Sequence, residues 1–148
     1  MAKVTFFAGL CGSGKTFASK QLREKYLESD TEVRMFREVL NEEEEKETEI
    51  IQTLLEAIDC IVEEAFYCIA SCRGTMEQRL ADEVPEVEPE WVFFENDLET
   101  ANWNVRNRPY DDAPADHLVV LNTETLHPQF YVGDSPTRPI FRTQPRQE

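Results

Sequence analysis

Gly9-Leu10-Cys11-Gly12-Ser13-Gly14-Lys15-Thr16 fills every fixed position of the phosphate-binding loop pattern GxxxxGK[ST]. Each residue type in it has a physical reason. Gly9, Gly12 and Gly14 allow backbone conformations that a Cβ would penalise, and they let the main chain approach a ligand closely. Successive N–H groups in such a turn converge into an anion-binding nest. A helix that starts there points the positive end of its dipole at the same place. Lys15 supplies a mobile positive charge for the β- and γ-phosphates of a nucleotide, and Thr16 supplies a hydroxyl for Mg²⁺. Cys11 and Ser13 complete the cradle, and Phe17 is the next residue assigned to nucleotide contact.

The flanks carry the context that this chemistry requires. Val4-Thr5-Phe6-Phe7-Ala8 is a short apolar run of β-formers, which predicts a buried strand running into the loop. Residues 15–28 place Phe17, Ala18, Leu22, Tyr26 and Leu27 at helical positions, so a helix opens at Lys15. Residues 32–36 alternate and predict a second short strand. Asn41 is a good helix N-cap, and Glu42 to Glu45 suit a first helical turn. With Ile50, Ile51, Leu54, Leu55 and Ile58 they predict one helix over residues 41–59. The glutamate run reads as a solvated helix start rather than a metal or partner site.

Cys60-Ile61-Val62 predicts a buried strand ending in Glu63 and Glu64, and residues 71–83 a helix capped by Ser71. Residues 91–94 predict another buried strand, 97–107 a helix, 106–114 an exposed loop and 116–126 a further helix. The proline-rich tail predicts one last strand near residues 139–142. Alternation of strands and helices implies an α/β domain with a mainly parallel sheet and helices on both faces. A length of 148 residues without internal repeat suits one domain spanning 1–148.

Composition bounds the partners. Thirty Asp and Glu against 15 Lys and Arg give a formal net charge of −15. That charge argues against general nucleic-acid binding, which depends on many cationic contacts with phosphates. It equally disfavours an anionic membrane surface. The start of the chain reads as a strand rather than a signal peptide, and no apolar run approaches the ~20 residues of a membrane span. Cys11, Cys60, Cys68 and Cys72 form no CxxC pair. Cys68 and Cys72 could pair on a metal from one helix, but reduced, buried or half-buried thiols are the favoured reading. These signals together predict a cytoplasmic protein. His117 and His127 form no triad-like or metal-like set, His127 falls in a predicted loop, and Trp91 and Trp103 read as core.

A phosphate loop of this kind needs an acid at the end of a neighbouring strand to hold Mg²⁺. Glu63 and Glu64 are both placed to supply it. Because adjacent strand residues face opposite ways, one of the two is expected to point at the metal.

From Gly9 to Thr16, through Cys60 to Glu64, to Trp91 to Arg108, the chain resembles the small P-loop kinases. These include adenylate-kinase-like, zeta-toxin-like and polynucleotide-kinase-like ATP-binding proteins. The match to the phosphate-loop motif is complete; the rest is an order of elements covering most of residues 1–142. The resemblance implies a three-layer α/β/α P-loop NTPase domain that binds ATP and Mg²⁺. It also implies a lid near residues 106–115, with Arg106 and Arg108 clamping the phosphoryl group. Lys15 and Glu63 would complete the catalytic set. The expected activity is transfer of the γ-phosphoryl group to a small acceptor such as a nucleoside, nucleotide or sugar. The region after the first helix, where relatives bind the acceptor, has no clear Asp-x-x-Arg arrangement here. Glu38 or Glu63 could take the acceptor proton, and Arg37 could hold an acidic acceptor. Arg73 and Arg79 read as surface residues. A kinase of nucleic-acid ends or modified bases, and a nucleotide-binding regulatory module with little turnover, are the two alternative readings.

Overall fold

The computed structural model describes residues 2–40, 45–108 and 115–143. Five parallel strands form one sheet in the order β2-β3-β1-β4-β5. They are β1 (Val4–Ala8), β2 (Val33–Arg37), β3 (Asp59–Glu63), β4 (Pro89–Phe94) and β5 (Thr137–Arg138). The helices are α1 (Lys15–Glu28), α2 (Lys46–Leu55), α3 (Ala70–Glu83), α4 (Leu98–Arg106), α5 (Ala115–Leu121) and the short α6 (His127–Gln129). A 3₁₀ turn (Ala65–Cys68) follows β3, and a π-helical turn (Asn122–Leu126) joins α5 to α6.

Strand β1 is central, and its neighbours fix what lies beside the loop. Phe7 pairs with Glu63 of β3 and with Val92 of β4. Strands β1 and β3 are buried on both faces, as parallel strands covered by helices must be, while the edge strands β2 and β5 are more exposed. On one face Val4, Phe6, Val62 and Phe93 pack with Ile50, Ile51 and Leu54 of α2 and Met76 and Leu80 of α3. On the other, Phe7, Ile61, Val92 and Phe94 pack with Ala18 of α1, Ala101 of α4 and Leu126. Helices thus cover both faces, an arrangement compatible with three α/β/α layers. No helix among the described residues is long and apolar enough to cross a membrane.

Trp91 is half-buried and packs against the core. Its ring stacks on Phe6 with centroids 4.1 Å apart and meets Tyr67 edge-on at 5.4 Å. Trp103 is half-buried, with the Arg142 guanidinium 4.7 Å above its ring.

Several boundaries differ from the sequence reading. Helix α2 stops at Leu55, well short of residue 59. Ala57 turns left-handed with φ 63°, and Asp59 joins β3, where it accepts from Lys3 N–H and Tyr26 O–H, each at 2.8 Å. The proposed cap at Asn41 and the acidic run through Glu44 lie outside the described residues. Ile69, not Ser71, precedes α3, and no side chain caps that helix. Ile69 is held in extended geometry instead by a bridge to Phe130. The last strand lies at Thr137–Arg138, before Pro139, because a proline has no N–H for a sheet ladder. His127 is helical rather than in a loop, its Nδ1 2.8 Å from Asn96 Oδ1.

Phe6 is fully buried beneath Trp91 and Tyr67. Phe6→Ala is expected to lower the unfolding free energy by about 3–5 kcal/mol, read from the urea midpoint at constant slope.

Candidate functional site

The loop between β1 and α1 turns on two left-handed glycines, Gly12 at φ 87° and Gly14 at φ 106°. Gly12 is also a contact point. A Cβ there would lie 2.4 Å from the carbonyl oxygen of Ala101, so α4 packs directly on the loop backbone. Gly9 is similarly crowded, since its Cβ would meet Ser13 Oγ at 2.7 Å. That hydroxyl is buried and has no hydrogen-bond partner among the described residues.

The donors around the loop are unevenly committed. Ser13 N–H donates to Leu10 O at 3.1 Å. Cys11 N–H donates to Asn122 Oδ1 at 2.8 Å. The N–H groups of Gly12, Gly14, Lys15 and Thr16 have no hydrogen-bond partner among the described residues, and no side chain caps α1. Free first-turn amides of this kind, at the positive end of a helix, favour an anion.

The Lys15 ammonium folds back over the loop and donates to Gly9 O at 2.8 Å and Leu10 O at 2.7 Å. Lys15 is half-buried as a whole, but protein atoms crowd its charged end. Burial pushes its pKa below the ordinary 10.5, and the nearby Cys11, Glu63, Cys68 and Glu64 oppose that shift.

Glu63 ends β3 on the strand beside β1 and is 6% exposed. Its Oε1 accepts from the Thr16 hydroxyl at 2.7 Å. Its Oε2 accepts from the Ser19 hydroxyl at 2.8 Å and pairs with Arg37 Nε at 2.8 Å. A buried carboxylate needs such partners. Glu64 is turned elsewhere, as strand alternation requires. Its oxygens accept from Leu40 N–H at 2.8 Å and Phe66 N–H at 2.9 Å. Of the two glutamates, Glu63 therefore meets the loop, while Glu64 ties backbone together. Thr16 Oγ1 and Glu63 form a small set of hard oxygen donors. That suits Mg²⁺, which takes few protein ligands and completes its shell with phosphate oxygens and water. No group of three or more His, Cys, Asp or Glu that could hold a metal occurs among the described residues.

The remaining expected site residues are scattered. Phe17 is 70% exposed on the first turn of α1. Arg106 is exposed at the end of α4 and Arg108 half-buried just beyond it, and neither bonds the loop among the described residues. Most of the expected lid, residues 109–114, lies outside the described residues. Arg37 faces Glu63, and Glu38 beside it is exposed in a left-handed conformation with φ 51°. Arg73 is a tether rather than a surface group. Only 12% exposed, it donates to Tyr67 O at 2.8 Å and Tyr131 O at 2.9 Å. Arg79, by contrast, pairs with Glu83 near the surface. Two concavities, about 240 and 460 Å³, lie near α2 and around Lys3, and no loop residue lines either.

Sequence reasoning missed the asparagines that grip the loop. Asn122 is fully buried beside Cys11, and Asn104 Nδ2 donates to Gly12 O at 2.9 Å. The available signal was propensity, because asparagine is a poor residue for a helix interior yet recurs at 102 and 104 inside α4. Ser19, one turn after Thr16, carries no signal in the sequence that marks it as a partner of Glu63.

No protein-family model matches the chain, and no curated protein matches it.

All four cysteines are free. Burial pushes the buried thiols of Cys60 and Cys68 up to about 12, so both should stay inert to an aromatic disulfide reagent in the folded protein. The half-buried Cys11 and Cys72 should account for all fast labelling, with mass spectrometry assigning the sites. Rapid labelling of Cys60 or Cys68 under native conditions would contradict this packing.

Proposed function

We propose that this chain is an ATP-binding P-loop kinase, a single three-layer P-loop NTPase domain over residues 1–148. It would move the γ-phosphoryl group of ATP to a small-molecule acceptor such as a nucleoside, nucleotide or sugar. The supporting observation is the 2.7 Å bond between the Thr16 hydroxyl and the Glu63 carboxylate. A glycine turn alone is common. A glycine turn whose threonine meets a buried acid from the adjacent strand has the two halves of a metal–phosphate site side by side.

Thr16 and Glu63 would hold Mg²⁺, which when bound would neutralise charge on the β- and γ-phosphates. The chain's own groups do the rest. The unpartnered amides from Gly12 to Thr16 receive phosphate oxygens. Lys15 exchanges its two carbonyl partners for the β- and γ-phosphates. Ser19 and Arg37 hold Oε2 of Glu63 and so orient its carboxylate. The acceptor oxygen forms a bond to the γ-phosphorus as the bond to the bridging oxygen breaks and ADP leaves. The acceptor proton would pass to a carboxylate, either Glu38 just after β2 or Glu63 at the end of β3. Arg106 and Arg108 would approach from the end of α4 and stabilise charge on the moving group. Catalysis of this type is positioning and charge stabilisation rather than covalent chemistry.

A second reading is a nucleotide-binding regulatory module with little turnover, which the acidic balance of the chain, 30 Asp and Glu against 15 Lys and Arg, permits.

The protein mixed with ATP, Mg²⁺ and pooled nucleosides, nucleotides and sugars should release ADP only when its acceptor is present. Lys15→Ala should lower that rate by about 100-fold or more. Tight ATP binding without acceptor-dependent ADP would select the second reading. Silence in both assays would defeat both.

A pH effect follows from Lys15. Burial lowers its pKa in the free protein, and a bound phosphate should raise it again. Binding should therefore take up a proton between the lowered value and the ordinary 10.5, and affinity should fall as pH rises through that window. Titration in buffers of different ionisation heat would detect the uptake, and any residual binding by Lys15→Met at high nucleotide concentration should proceed without it.

A further inference from the structure

We infer that Asn122 is a positioning residue that holds the phosphate loop open from behind, an inference that rests on the phosphate-loop reading above. Asn122 is fully buried at the first residue of the π-helical turn. Its side chain treats Cys11 as a strand partner would. Oδ1 accepts from Cys11 N–H at 2.8 Å, and Nδ2 donates to Cys11 O at 2.8 Å. These bonds span 111 positions of sequence. The same Nδ2 donates to Asn102 Oδ1 at 3.1 Å, which fixes which end of the amide faces which group.

A turn that points several N–H groups inward has to stop its own carbonyls from collapsing onto them. Asn122 takes both polar groups of Cys11 out of that competition. At the next residue, Asn104 binds Gly12 O. Two successive carbonyls, of Cys11 and Gly12, are thus drawn toward side chains of α4 and the π turn. Of the amides from Gly12 to Thr16, only that of Ser13 has an internal partner among the described residues. A loop ordered before ligand arrives binds more tightly than one that must order on binding. The π turn has a reason here as well, since such turns recur where a helix must re-aim a side chain at a functional site.

Asn122→Asp tests this with little change of shape. The carboxylate would face Cys11 O and Asn102 Oδ1, two acceptors, with no hydrogen to offer. At neutral pH the Kd for MgATP should rise by about tenfold or more. It should recover as the pH is lowered until the carboxyl protonates and regains a donor. A folded variant with wild-type affinity at neutral pH would overturn the inference. Wild-type protein that binds no MgATP would instead sink the phosphate-loop reading itself and this inference with it.

Should the variant fail to fold, amide exchange in the wild-type protein decides the matter. Cys11 N–H should be protected with and without MgATP, whereas those of Gly14 and Thr16 should gain protection only with it. Exchange of Cys11 as fast as that of Gly14 in the free protein would overturn the proposal.

Discussion

A turn that leaves several backbone amides without an internal partner, as this one does at Gly12, Gly14, Lys15 and Thr16, needs support from outside to keep its shape. In this protein the support comes from two sides. The absence of a Cβ at Gly12 lets the Ala101 carbonyl of α4 close to within 2.4 Å of where that atom would be. Asn104 and Asn122 then bind the loop carbonyls at Gly12 and Cys11. On the other side, Lys15 lies across Gly9 and Leu10. The fold serves this arrangement. Central strand β1 delivers the loop, β3 sets Glu63 level with Phe7, and β4 leads to the helix that buttresses Gly12.

Glu63 shows how the same logic extends to charge. A carboxylate this buried is costly unless its lone pairs are filled. Here two hydroxyls from one helix turn and one guanidinium fill them. Arg37 reaches Glu63 from a half-exposed position, whereas the two hydroxyls come from the start of α1. Glu64, one residue later, is spent on two amides of the connecting segments. The two acids thus split the work, one fixing the crossover and one facing the loop.

The sheet was legible because each buried strand is a short apolar run flanked by polar turns, and β1, β3 and β4 need no long-range information to recognise. The loop was legible because its glycines sit at fixed spacing. Helix ends were less so: the apolar period through Ile58 continues past the point where Ala57 reverses the chain, and Asp59 is claimed by tertiary partners. The choice between Glu63 and Glu64 was legible only as an alternation, since which face each takes depends on the neighbouring strands. Asn122 was out of reach. It lies 111 positions from its partner, and a buried polar residue in a helix looks no different in sequence from an exposed one.

The most direct test of the central claim is a calorimetric titration of the wild-type protein with ATP, with and without Mg²⁺. The account predicts saturable binding of one nucleotide per chain, tighter with the metal and lost in Lys15→Ala. Absence of binding heat for every purine triphosphate at millimolar concentration, with the protein shown to be folded, would contradict it.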